Sequence, residues 1–455
     1  MILAVDCGST YLKAALFASP SCRLAEVREP FRYSRRDRIH AEFTVAWLNG
    51  AFDRMVRRLS REAGQPLSAV RVLAFASQAQ TFTLLDAAGR PLRPFLSWLD
   101  ERAAEEADAL ADRFGADFHR HCSFDRPMAA LAIAKLLWIR RHQPAVWRRA
   151  RRWISMPGWL GYRAAGVNLI DPNLAALSGL YSLQTKGWRQ PVAAFLDFPR
   201  TGFPELWPTG RRRTGPGNGP WSGRPLTLVS AGNDHTAAAV GNGCRRNEVM
   251  ATFGTALVAY RRTGARPGSD STGCCWGPYP GGGYYALAAS RYGGSALDWA
   301  RAILRPDSDA AAFDRLAATA PPGSHGVLFV PEQTGTPEAW QGAAGTPADR
   351  ARAVLEGILF SLRRLIGEVL QAAPADVCAL GGGSASRFWM AMAASVLGCP
   401  VRVGSGDALA GAAALAAGGA DRLAPACRAR FQPDPALAAR YDRVYRAWRR
   451  VCGRG

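Results

Sequence analysis

The sequence predicts an α/β protein of two domains with a cleft between them, and three observations carry that prediction. A short pattern is stated twice. Near the start, Ile2-Leu3-Ala4-Val5-Asp6-Cys7-Gly8-Ser9-Thr10 runs into Leu12-Lys13-Ala14-Ala15-Leu16-Phe17, and at mid-chain Val249-Met250-Ala251-Thr252-Phe253-Gly254-Thr255-Ala256 runs into Leu257-Val258-Ala259-Tyr260. Each copy reads as an apolar strand, a tight turn carrying Gly beside a hydroxyl residue, and a second strand. The second observation is the alternation of strand-like and helical runs along the chain. The third is length: 455 residues exceed one ordinary core, so two domains are the default.

Taken in order, the first hairpin is followed by a buried strand over 70–76 that ends at Ser77-Gln78-Ala79-Gln80. Residues 81–86 are expected to pair back on it and to close in an Ala-Ala-Gly-Arg turn. Residues 101–150 are helical, with apolar spacing clearest over 128–139. The stretch 197–224, rich in Pro, Gly and Arg, reads as loop. A strand over 226–230 ends at Ala231-Gly232-Asn233-Asp234-His235, and a helix of small residues over 236–243 presents its N-terminus to that strand end. The second strand-rich block opens at Val249, which sets the domain boundary at 244, giving domains of 1–244 and 245–455. A long helix spans 347–372 and stops before Pro374. A strand over 377–380 breaks at Gly381-Gly382-Gly383-Ser384 into a helix over 387–397, and a strand over 401–403 leads to a helix of small residues over 408–417.

The repeated turn has a chemical meaning. Gly lets backbone N–H groups approach an anion, and Ser or Thr hydroxyls add neutral donors. Two such turns, one opening each half, suit a phosphate chain held between related domains. Only the first copy carries an acid, Asp6, which can hold a cation beside the phosphates. Composition bounds the rest: 48% hydrophobic and 20% charged residues describe a globular chain. No stretch has the length and apolarity of a membrane span, and no signal peptide is visible, so a cytoplasmic setting is expected. The ten cysteines are scattered without a CxxC spacing, which reads as reduced thiols. The net charge of +21 raises nucleic-acid binding, but the bias toward Arg, Ala, Gly and Pro explains it compositionally. The clusters 148–152 and 211–213 lack the interleaved aromatics of a stacking platform, so nucleic acid is discounted as a partner.

Seven landmarks in order and spacing resemble the FGGY carbohydrate kinases, in their xylulokinase-like branch. They are Asp6-Cys7-Gly8-Ser9-Thr10, Leu92-Arg93-Pro94 with Trp98-Leu99-Asp100, Lys135-Leu136-Leu137-Trp138, Ala231-Gly232-Asn233-Asp234, Phe253-Gly254-Thr255, Ala351-Arg352-Ala353-Val354-Leu355-Glu356-Gly357, and Leu380-Gly381-Gly382-Gly383-Ser384. The family belongs to the actin-like ATPase superfamily, so the resemblance implies two ribonuclease-H-like α/β domains closing over ATP, Mg2+ and a small sugar or polyol. By resemblance Asp234 is the general base that takes a proton from the attacking hydroxyl; read alone, it serves equally as a helix cap. Asp6 becomes the magnesium-site acid, with Ser9, Thr10 and Lys13 on the phosphates and Gly254 and Thr255 gripping from the other domain. Gly382, Gly383 and Ser384 resemble the adenine-side loop. Arg387 and Gly294 are further nucleotide candidates.

On the acceptor side the family uses the turn Gln78-Ala79-Gln80, the segment Trp98-Leu99-Asp100, and His235 after the base. Gln78, Gln80, Trp98, Asp100 and His235 are therefore the expected substrate contacts, offering donors and acceptors to adjacent hydroxyls. The sequence departs from xylulokinase-like chains at two places. Ala79-Gln80 stands where those carry Met-His, and Gln333-Thr334-Gly335-Thr336-Pro337 replaces a Gly-Glu-Arg-Thr-Pro loop. These departures leave the acceptor, and a non-catalytic nucleotide or sugar sensor as the second reading, open. A homodimer is likewise left open.

Overall fold

The computed structural model describes residues 1–267, 273–305, 309–419, 423–424 and 427–452. Strand β1 (Ile2–Cys7) is buried along its length, as expected of a central strand covered on both faces. The turn at 8–10 returns it as β2 (Tyr11–Ser19), with Ile2 opposite Phe17 and Asp6 opposite Lys13. β3 (Cys22–Pro30) adds antiparallel to β2 and forms the sheet edge. Helix α1 (Val45–Glu62) starts where the Thr44 hydroxyl accepts the Trp47 N–H, and Leu48, Ala51, Phe52, Met55, Val56 and Leu59 make its buried stripe. β4 (Val72–Ser77) lies parallel beside β1.

Beyond β4 the chain leaves the sheet, and one expectation is corrected. Residues 81–86 do not pair back on β4. Gln80 adopts a left-handed φ of 62°, and β5 (Phe82–Leu85) joins a separate five-stranded sheet between Phe95–Leu96 and Arg152–Ser155. Helix α2 (Ala132–His142), buried along most of its length, packs in the core of this lobe. Within the expected loop 197–224, β6 (Arg213–Pro216) pairs antiparallel with β7 (Pro225–Asn233) at the outer edge of the first sheet. β7 runs parallel to β4 through a bulge at 230–233 and leads directly into α3 (Asp234–Gly241).

The second sheet repeats the first. β8 (Glu248–Phe253) and β9 (Leu257–Thr263) form the copied hairpin, followed by β10 (Cys275–Pro278) and β11 (Tyr284–Ser290). Helices α4 (Gly294–Leu304) and α5 (Pro347–Arg364) follow, α5 opening on a capping box between Thr346 and Asp349 and continuing through a π-helical turn, Leu365–Val369. Then come β12 (Asp376–Leu380), α6 (Arg387–Leu397), β13 (Val401–Gly404), α7 (Ala408–Ala416) and β14 (Cys427–Phe431). The orders β3-β2-β1-β4-β7 and β11-β9-β8-β12-β13 share one connectivity, three antiparallel strands followed by two parallel ones.

Helix α7 follows a strand of the second sheet yet packs against α3 and the face of β1, β4 and β7 in the first. Its small residues permit this: a Cβ on Gly411 would collide with the Ala237 carbonyl, and one on Gly241 with the Asp407 carbonyl. The apolar cluster that results mixes Ala4, Val72, Val229, Met250, Tyr260 and Leu409, so one core layer joins both sheets. No helix among the described residues is long and apolar enough to cross a membrane, and all ten cysteines are free.

Candidate active site

Register brings the carboxyl ends of three neighbouring parallel strands to one row. Cys7 of β1 lies opposite Ser77 of β4, and Ser77 opposite Asn233 of β7. The residues at or just past that row, Asp6, the Gly8–Thr10 turn, Gln78 and Asp234, therefore share one edge of the sheet, where open α/β folds place ligands.

Asp6 is 6% exposed, and the Lys13 ammonium across the hairpin lies 3.4 Å from its Oδ2. Its Oδ1 is buried with no hydrogen-bond partner. Burial pushes the Asp6 carboxyl up to about 6; Lys13 opposes that, and the negative charges of Asp234 and Asp407 add to it. Two further acids thus bear on Asp6, whose Oδ1 is unbonded. That is a setting a cation would relieve. Among the described residues no group of three or more His, Cys, Asp or Glu is arranged around a metal position. A magnesium site needs only one or two carboxylates when phosphates and water complete it.

Asp234 is the first residue of α3. Asn233 caps that helix, its Oδ1 accepting the Thr236 N–H at 2.8 Å, so the cap role that Asp234 could have filled belongs to its neighbour. Asp234 is half-buried, and its Oδ1 accepts the His235 N–H at 3.0 Å. The strand end is locked from outside. Asn173 Oδ1 accepts from the Asn233 N–H at 2.8 Å and from Asn233 Nδ2 at 2.7 Å, while Asn173 Nδ2 donates to Thr236 Oγ1 and the Pro278 carbonyl. Gly232 has φ 81°, and a Cβ there would press on Asn173.

The nucleotide-side candidates form two groups. Ser9 is half-buried and Thr10 exposed in the first turn, with the Tyr33 hydroxyl donating to the Ser9 carbonyl at 3.1 Å. In the second turn Thr255 is exposed and Gly254 half-buried, its N–H donating to the Ala256 carbonyl at 3.2 Å. Gly294 N–H donates to the Gly254 carbonyl at 2.7 Å, and Ser295 N–H to the Thr255 carbonyl at 3.1 Å, so the start of α4 holds this turn in place. On the other side, Gly381 has φ 86°, and a Cβ would stand 2.6 Å from the Phe253 carbonyl. Gly383 sits against Phe253 and Trp389, Gly382 opens to free space, and the Ser384 hydroxyl donates to the Gly381 carbonyl at 2.7 Å. Gly254, Gly294, Gly382, Gly383 and Ser384 are therefore brought together. Arg387 starts α6 beyond the loop, exposed, with its guanidinium 5.5 Å from the Phe431 ring.

The acceptor-side candidates separate. Gln78, 6% exposed, follows β4 with its N–H on the Cys7 carbonyl, and both Gln78 Oε1 and Gln80 Oε1 are buried without partners. Trp98 is 40% exposed, its N–H on Thr81 Oγ1 at 3.1 Å. His235 is half-buried beside Asp234. Asp100 differs: it is fully buried, gripped by Arg102 through two 2.7 Å bonds and by the Ala41 N–H at 2.7 Å. Burial raises its carboxyl, but the Arg102 fork and the Ala41 N–H outweigh this and hold it below the ordinary value. Its oxygens are spent on that structure and not turned toward the others.

Three neighbours escaped the sequence reading. Asp407, which caps α7 and pairs with Arg23 at 2.6 Å, was signalled only by its place before a small-residue helix. Asn173 lies in Asp171-Pro172-Asn173, a turn signature without an evident partner. Lys135 was visible as a motif letter with no task attached.

Two family models match the chain: FGGY family of carbohydrate kinases, N-terminal domain, over residues 1–241, and the C-terminal domain of the same family over 249–420. The xylulose kinase of Klebsiella pneumoniae is 30% identical over 421 residues, covering 88% of this chain and 85% of that protein. The glycerol kinase of Thermus brockianus is 29% identical over 496 residues, covering 100% and 98%. The solved xylulose kinase of Rhodospirillum rubrum superposes with a TM-score of 0.89 at 24% identity, covering 99% and 98% of the two chains. A glycerol kinase of Plasmodium falciparum with ADP superposes at 0.86 and 17% identity over 99% and 98%. These likenesses bear out the expected fold, two ribonuclease-H-like domains of the actin-like ATPase type.

Proposed function

The chain belongs to the FGGY family of carbohydrate kinases, and from that premise we propose that it moves the γ-phosphoryl group of ATP to a hydroxyl of a small sugar, ketose or polyol, with Asp234 as general base. The observation that carries this reading is that Asp6 and Asp234 stand at the ends of the two strands flanking β4, on one edge of the sheet, with Asp6 Oδ1 unbonded and Asp234 holding the His235 N–H through Oδ1 alone. Phosphoryl transfer asks little covalent chemistry of the protein. It asks for an aligned nucleophile and neutralised phosphate charge.

Mg-ATP, when bound, would supply the transferable group together with a divalent charge that offsets the phosphates. Asp6 would hold the cation through Oδ1, directly or through water. Ser9, Thr10 and Lys13 would face the phosphates from one domain, and Gly254 and Thr255 from the other. Gly294 acts behind that second turn, since its N–H is already bonded to Gly254. Gly382, Gly383, Ser384 and Arg387 would border the adenine and ribose. His235 N–H orients Asp234 so that Oδ2 accepts the proton as the acceptor oxygen attacks. Gln78 and Gln80 bring unpartnered amide oxygens that suit sugar hydroxyls, with Trp98 and His235 flanking them. Asp100 serves this site by fixing the backbone from which Trp98 projects.

A sensor that binds without transfer draws no support from a cleft that keeps both acids. Magnesium-dependent ADP release, followed by a coupled assay over ketoses, polyols and sugar acids, tests the proposal. Release that depends on one class of acceptor is expected. ATP binding without release for any acceptor would overturn it.

A further inference from the structure

The turns at 78–81 and 97–100 leave the same end of the small sheet, where Phe82 pairs with Leu96. Between them lies the Nζ of Lys135, a residue with no exposed surface, projecting from α2. It donates to the Gln80 carbonyl at 3.0 Å and to the Ser97 carbonyl at 2.8 Å, and lies 5.8 Å from the Phe82 ring centre. Thr81 Oγ1 adds a smaller link between the same turns by accepting the Trp98 N–H.

Gln80 is where this joint matters. Its φ of 62° is a conformation that residues with a side chain rarely adopt. Held there, its carbonyl turns to Lys135 while its buried Oε1 is left without a partner. We propose that Lys135 is the positioning residue of the acceptor side: by tying the Gln80 and Ser97 carbonyls together, it fixes the Gln80 amide and Trp98 relative to Asp234. The inference rests on the kinase reading of this cleft and deepens it.

The energetics favour a geometric role over a stabilising one. Desolvation pulls the Lys135 ammonium down to about 7; Asp100 opposes that, and Arg102 and Arg93 add to it. A buried cation bonded only to carbonyls contributes little net stability, and an apolar side chain of similar volume would fill the same space at less cost. What such a replacement would lose is the tie between the turns.

The test compares Lys135→Met and Thr81→Val with the wild-type chain, using the acceptor that gives the fastest ADP release. Lys135→Met is expected to raise KM for the acceptor by about tenfold or more while KM for ATP stays within about twofold, the split that marks lost acceptor positioning. Thr81→Val, which removes the lesser link and no charge, is expected to raise the same constant by about threefold. A merely structural role would lower the melting temperature and the active fraction without moving either KM. Acceptor KM unchanged in both variants overturns the proposal. If Lys135→Met does not fold, Thr81→Val decides, and an unchanged acceptor KM there overturns it. If the wild type releases no ADP with any acceptor, the kinase reading falls by itself. Acceptor-induced thermal shifts then carry the comparison: a shift lost in the variants upholds Lys135, whereas an equal shift, or none in any protein, overturns it.

Discussion

Lys135 is a lysine kept where water cannot reach it, and its titration offers a check that does not depend on catalysis. In the unfolded chain its ammonium ionises near 10.4, whereas in the fold it is pulled down to about 7. Between those values the unfolded state binds more protons, so this residue makes stability rise as pH rises. The stability of the wild type relative to Lys135→Met should therefore increase from pH 7 to pH 9 in denaturant titrations. A pH-independent difference would contradict the burial assigned to it. At this scale the sequence placed Asp6, Asp234, Gln78 and Gln80 at or just past strand ends, where the fold has them. It could not tell that Asp100 spends its carboxylate on Arg102, or that Lys135 bridges two turns, because both depend on partners distant in the fold or on side-chain orientation.

The elements that build the cleft are glycine turns braced by one another, and the second turn is the clearest case. The start of α4 bonds it from one side, and the Gly381–Gly383 loop packs on it from the other. Gly381→Ala would place a Cβ 2.6 Å from the Phe253 carbonyl and force alanine into a backbone of φ 86° and ψ 176° that is essentially glycine's alone, a strain of about 1–3 kcal/mol before any clash. The expected result is a raised KM for ATP with the acceptor KM little changed. Equal movement of both constants would show that the loop does not serve the nucleotide side alone. The strands and helices around the two repeated turns and the Gly381 loop were legible from apolar period and glycine punctuation, whereas β3, α1, β10, β11, α4 and β14 drew no specific expectation. Two departures share a cause: β5 pairs in another sheet, and β6 is an edge strand inside a Pro- and Gly-rich stretch, and both pairings are set by tertiary contacts.

Over the whole molecule, the duplicated hairpin becomes two sheets of one topology. The first carries Asp6 and leads to Asp234; the second carries the Gly254 turn, which the proposed function sets on the other side of the phosphates. Helix α7 crosses from the second sheet to pack under the first, and Asp407 at its start pairs with Arg23 of β3, so both halves meet beside the acids. This crossing was hidden in the sequence, where 408–417 read only as a helix of small residues. Its glycine, Gly411, marks a close approach but does not say to what. Closure of the halves over both substrates would exclude water and favour the sugar hydroxyl as acceptor. The central claim is that Asp234 accepts the proton of that hydroxyl, and the most direct measurement is acceptor-dependent ADP release by Asp234→Ala beside its affinity for Mg-ATP. The account predicts that transfer is lost by at least about a hundredfold, in line with loss of a general base, while Mg-ATP binding is retained. Transfer close to the wild-type rate would contradict it.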